Sequence, residues 1–164
     1  MSISRRAYDY RVEEERRGAS EEGVRAGMWT RYLVPLGRVA FAAVFVVFTP
    51  PDFTPQGIAE AAQQGVPLAP VLVPLAGLIA LAGGASVILG YRARAGAWLL
   101  ILFLVPVTIL LHNFWAVRDP MMAQMQFGFF LANTSRIGTA LLIAYFGAGP
   151  FSLDERAAAP RPKD

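Results

Sequence analysis

The stretch Ala97–Trp115 reads AWLLILFLVPVTILLHNFW, an apolar run without a charge that ends in the chain's only histidine, an asparagine and a tryptophan. Wound as a helix at about 1.5 Å per residue it reaches roughly 28 Å, close to the hydrocarbon thickness of a bilayer. The run therefore predicts a membrane-spanning helix with a polar and aromatic group at its exit. Pro106 lies in its middle, where it leaves the Leu102 carbonyl without its usual donor and predicts a kink.

Composition agrees with a membrane setting. Apolar residues make up 55% of the 164 residues and charged residues 16%, against a usual charged share of about a quarter. The net charge is +3, but eight of the fifteen basic residues fall in the first thirty-eight positions among six acids. No basic patch with interleaved aromatics is left to suggest nucleic acid, which is excluded as a partner. There are no cysteines, which removes disulfides, thiol chemistry and iron–sulfur ligation. With one histidine, no metal site is expected.

Three further runs flank the first. Residues 33–48 follow the interfacial Trp29 and Tyr32 and stop at Thr49-Pro50-Pro51, since prolines cannot continue the backbone ladder. Arg38 lies near one end of this span, where its long stem can snorkel to the headgroups. Residues 66–90 carry small side chains at Ala76, Ala80, Gly83 and Gly84. This is a seam at which helix backbones can approach closely. Residues 126–146 contain the polar block Asn133, Thr134, Ser135, Arg136. A helical wheel puts Gly128, Ala132, Ser135, Arg136, Thr139 and Ile143 on one face, with Asn133 at its edge. A short surface helix is expected over 52–64.

The fold class predicted is all-α, an integral membrane four-helix bundle over residues 29–150. A polar tail over 1–28, without the pattern of a signal peptide, precedes it, and a second tail over 151–164 follows. Basic residues concentrate in both tails and in the Arg92/Arg94 loop, which predicts both termini on the cytoplasmic side of the inner or plasma membrane.

Six segments together resemble the DoxX family of small four-span membrane proteins: LGRVAFAAVFV (36–46), GVPLAPVLVPLAGLIALAGGASVILG (65–90), YRARAGAWLL (91–100), LLHNFW (110–115), FFLANTSRIG (129–138) and GAGPFSLD (147–154). At positions where that family commonly carries polar side chains, this chain has Pro50-Pro51, Ala80 and Ala132. The resemblance implies an accessory or quinone-linked subunit of a membrane oxidoreductase system, with a redox partner subunit or a second copy of the chain in the same bilayer.

The ligand-binding candidates are His112, Asn113, Trp115, Asn133 and Arg136. His112 can pass a proton or donate to a quinone carbonyl, and Trp115 can wall such a pocket. Arg136, ten residues into its span, should face the bundle interior or water, because a midplane arginine costs at least a few kcal/mol. Haem is disfavoured, since one histidine cannot form a bis-histidine site. Outside the resemblance, the residues leave open a non-catalytic membrane scaffold and a small-molecule or anion transporter with Arg136 on its path.

Overall fold

The computed structural model describes residue 27 and residues 29–158. The tail expected over 1–28 lies almost wholly outside these residues, as does the end of the carboxy-terminal tail after 158. The described residues form helices only. They comprise α1 (29–47), α2 (Pro55–Gln63), α3 (Ala69–Leu89), α4 (Ala93–Leu111), α5 (Pro120–Phe146) and α6 (Leu153–Ala158). Short 3₁₀ turns follow α1 at Pro50–Phe53 and α4 at Phe114–Ala116. Four helical segments are long and apolar enough to cross a membrane, namely Trp29–Phe53, Ala69–Leu89, Ala93–Ala116 and Pro120–Phe146.

Local chemistry sets the helix ends. Thr54 accepts from the Gly57 amide and Pro55 occupies the first helical position, so α2 starts there. Asp119 caps α5 by accepting from the Met122 amide at 2.8 Å, followed by Pro120. The helix thus begins six residues before the apolar run at 126, since a cap rather than hydropathy decides where backbone winding starts. Gly90 ends α3 in the left-handed conformation, at φ 63°.

Packing depends on missing side chains. A Cβ on Gly83 would lie 2.9 Å from the Gly96 carbonyl oxygen, so α3 and α4 meet backbone to backbone. One residue on, Gly84 faces α1, where a Cβ would stand 3.3 Å from the Phe45 Cβ and 3.4 Å from the Ala42 carbonyl oxygen. Ala80 is fully buried one turn away, whereas Ala76 is half-buried. The core comprises Ala42, Phe45, Ala80, Val87, Leu100 and Leu104, with Ile137 and Ile143 of α5 against it. Helix α4 packs on both α3 and α5.

The end of the bundle that carries the α3–α4 turn is closed by residues 147–155. Arg38 does not snorkel. It is 4% exposed, and its guanidinium donates to the Ala148 carbonyl at 2.7 Å and the Phe151 carbonyl at 3.0 Å. Five donors on a planar fork suit the free carbonyls after a helix end better than a layer of headgroups does. Asp154 accepts from the Arg92 and Ala93 amides at 2.7 and 3.0 Å, capping α4 from a distant part of the chain. A Cβ on Gly90 would collide with Ser152 and Arg38.

Two substitutions of contrasting effect test this packing. Gly83→Val is expected to cost about 1–3 kcal/mol through overpacking against backbone, seen as a lower unfolding temperature in detergent. Gly128→Ala, with nothing within 4 Å of a Cβ, should leave that temperature unchanged or slightly raised. Removing the distant cap with Asp154→Ala should cost about 1–2 kcal/mol by the same measurement.

Candidate functional site

At the opposite end of the bundle α1, α3, α4 and α5 enclose a cavity of about 430 Å³. Its polar lining is Thr49, Asp52, His112, Asn133 and Arg136, and its walls include Phe45, Phe48, Phe103, Leu104 and Phe129. The 3₁₀ turn at Pro50–Phe53 folds Asp52 back over the end of α1. Gly77 lets it come close, since a Cβ there would stand 3.1 Å from the Asp52 Cβ. The Thr49 hydroxyl donates to the Phe45 carbonyl.

His112 ends α4. Its Nδ1 donates to Oε1 of Gln126 at 2.8 Å. An amide oxygen only accepts, so the neutral ring keeps Nε2 as an acceptor. Ten residues along α5 from Gln126, roughly 15 Å deeper, Arg136 donates through Nη1 to Oδ1 of Asn133 at 2.6 Å. Asn133 is 7% exposed. Long helical side chains lean toward the helix N-terminus, so the guanidinium reaches back from Arg136 toward the cavity mouth. A neutral amide brings no countercharge, and donors of the guanidinium remain for an acceptor in the cavity.

The cavity brings together His112, Asn133 and Arg136, three of the five candidates. Asn113 and Trp115 are not on its lining. Trp115 is 59% exposed and packs edge-on against Phe114 and Phe130, at 5.1 and 6.0 Å between ring centroids. The inward face of α5 also differs from the wheel. Asn133 and Ala140 are buried and Ile137 and Ile143 touch the core, while Gly128 meets open space and Ser135 is exposed. Arg136 and Ile143 of the wheel's face do turn inward, but the packed stripe is rotated from it toward Asn133, Ile137 and Ala140. The hydroxyls of Thr134 and Thr139 turn back on the Phe130 and Ser135 carbonyls.

Sequence reasoning missed Asp52, Thr49 and Gln126. The Thr-Pro-Pro-Asp stop signal carried the first two, but only as the end of a span. Among the described residues no three histidine, aspartate or glutamate side chains gather as a metal-binding group.

A bundle of four membrane-length helices with a polar cavity between α1, α4 and α5 defines a class shared by many families. The chain belongs to the SURF4 family, whose profile matches residues 68–159. It is also similar to the inner membrane protein YphA of Escherichia coli K12, at 26% identity over 129 residues, 76% of this chain and 89% of that protein. No solved structure is significantly similar.

The family match overturns the DoxX resemblance and, with it, the oxidoreductase-subunit and quinone readings. The segments behind that resemblance are apolar runs punctuated by glycine and proline, which close packing and helix ends impose on any four-span bundle.

Within the site, Asn133→Leu should lower the unfolding temperature, since it strips Arg136 of its neighbour and costs about 1–3 kcal/mol. Arg136→Leu should be neutral or stabilising. The double variant should behave as Arg136→Leu does, a coupling that thermal unfolding of the four proteins measures directly.

Proposed function

We propose that this chain is a ligand-binding bundle of the inner membrane that holds the anionic group of a small molecule against Arg136. The observation that carries this reading is the Arg136–Asn133 pair, a cation on a cavity wall held at 2.6 Å by a neutral amide. An anion bound there supplies the countercharge that an intramembrane arginine needs. His112 and Thr49 add polar contacts nearer the mouth.

Both termini lie on the cytoplasmic side in this reading, which puts Asp52 and His112 at the outer face. It rests on the basic residues of the tails and of the α3–α4 turn. The inner-membrane setting is supported by the four apolar helices and by the similarity to YphA, an inner membrane protein of Escherichia coli.

The test is thermal unfolding of the purified full chain with hexanoate or hexyltrimethylammonium as probes. At about ten times its dissociation constant hexanoate should raise the midpoint by a few degrees, and the cation should not. Arg136→Gln should abolish the hexanoate shift while the protein still folds. Asp52→Asn should tighten hexanoate binding about two- to fivefold by removing a like charge from the mouth. Equal shifts with both probes, or a hexanoate shift that survives Arg136→Gln, overturn the reading. Weaker hexanoate binding in Asp52→Asn also overturns it, since removing a like charge should strengthen the hold on an anion.

A further inference from the structure

A second cavity of about 370 Å³ lies between α3 and α4, and every residue lining it is apolar. Four of its wall residues, Ala76, Phe103, Val107 and Leu111, also line the polar cavity. The two spaces therefore adjoin, and Ala76 is the smallest side chain at the junction. Beyond it the groove runs past Leu72, Leu75, Ile79, Leu102 and Leu110. Leu72, Leu75, Leu102 and Leu110 are each 38–61% exposed, so the groove opens on the lipid-facing side of the bundle. From Leu102 to Leu111 it follows roughly 13 Å of helix.

From this adjacency we infer that the ligand is a single-chain amphiphile with a carboxylate head. It enters sideways from the bilayer, its head beside Arg136 and its tail in the α3–α4 groove. The inference rests on the proposed anion site. One groove accommodates one tail, and one guanidinium matches a single negative charge. Asp52 on the same lining disfavours a dianionic head such as a phosphate monoester. Lipid is as apolar as the groove, so tail burial brings little net gain. The head supplies the affinity and the groove supplies selection by shape.

The experiment uses the full chain in lipid nanodiscs with two photoactivatable fatty carboxylates. One carries a diazirine beside the carboxylate and the other carries it at the tail end. Labelled peptides are mapped by mass spectrometry, with a trimethylammonium analogue of the tail probe as control. The expected result is head-probe labelling at Phe103, Phe129 or Asn133 and tail-probe labelling at Leu72, Ile79 or Leu110. Arg136→Gln should reduce both at least tenfold.

Ala76→Phe fills the boundary between the two spaces and should abolish groove labelling by the tail probe. Because Ala76 also lines the polar cavity, Leu72→Trp, on the groove alone, provides the separate block: it should abolish groove labelling while hexanoate still raises the unfolding temperature. Tail labelling spread over all lipid-facing helices, or groove labelling matched by the trimethylammonium control, would mean annular lipid only and overturn the inference. If the hexanoate shift persists in that case, the anion site stands and only the tail assignment falls. Head-probe labelling that never reaches the cavity, with no hexanoate shift, overturns both.

Discussion

A contact that contains no side chain holds this molecule together, the meeting of Gly83 on α3 with Gly96 on α4. In water two apolar helices would associate to escape solvent, but between lipid tails that gain is absent and close packing has to replace it. Glycine at both positions lets the backbones touch, and Gly84 beside Gly83 turns the neighbouring face of α3 toward α1. Because α3 serves two partners through adjacent residues, α1 and α4 are fixed relative to each other. Leu100 and Leu104 of α4 join Ala42 and Phe45 of α1 in the core. The polar cavity lies at the other end of the bundle, lined by residues of α1, α3, α4 and α5.

Arg38 and Arg136 show how one residue type takes different roles within the bundle. Arg38 spends its donors on two backbone carbonyls of a turn and is sealed from its surroundings. It locks residues 147–155 against the α3–α4 turn, where Asp154 caps α4. Arg136 has a neutral side chain as neighbour and faces open volume. A buried guanidinium held by two backbone carbonyls is structural, whereas one beside a cavity with donors to spare is available to a ligand. The rigid latch at one end and the open polar space at the other give the bundle a closed face and an accessible one.

Much of the fold was legible because lipid imposes a narrow grammar. Length, apolar runs and proline stops marked the four helices, and the spacing of Gly83 and Gly84 marked a helix that needs close neighbours. The start of α5 was obscured by its amphipathic first turns, where the Asp119 cap and Pro120 outweigh hydropathy. The site was legible only in part. Arg136, Asn133 and His112 stood out as polar residues in or beside apolar runs. Asp52 did not, because it reaches the cavity through a 3₁₀ turn that brings distant chain together. Trp115 misled because an aromatic at a helix exit is equally suited to packing on Phe114 and Phe130. The family was misread for a related reason, since short apolar segments record the constraints of a bundle more strongly than its ancestry.

Whether Asn133 and Arg136 face an aqueous-accessible space that favours anions is directly measurable, because the sequence holds no native cysteine. Single-cysteine proteins Asn133→Cys and Thr134→Cys in intact cells would be treated from outside with anionic and cationic membrane-impermeant thiosulfonates of similar size. Position 133 should react, and react faster with the anion while Arg136 is present. Position 134, exposed on the outside of α5, should stay unreactive. Equal inertness at both positions, or faster reaction of position 133 with the cation, would contradict an aqueous-accessible, anion-favouring space there.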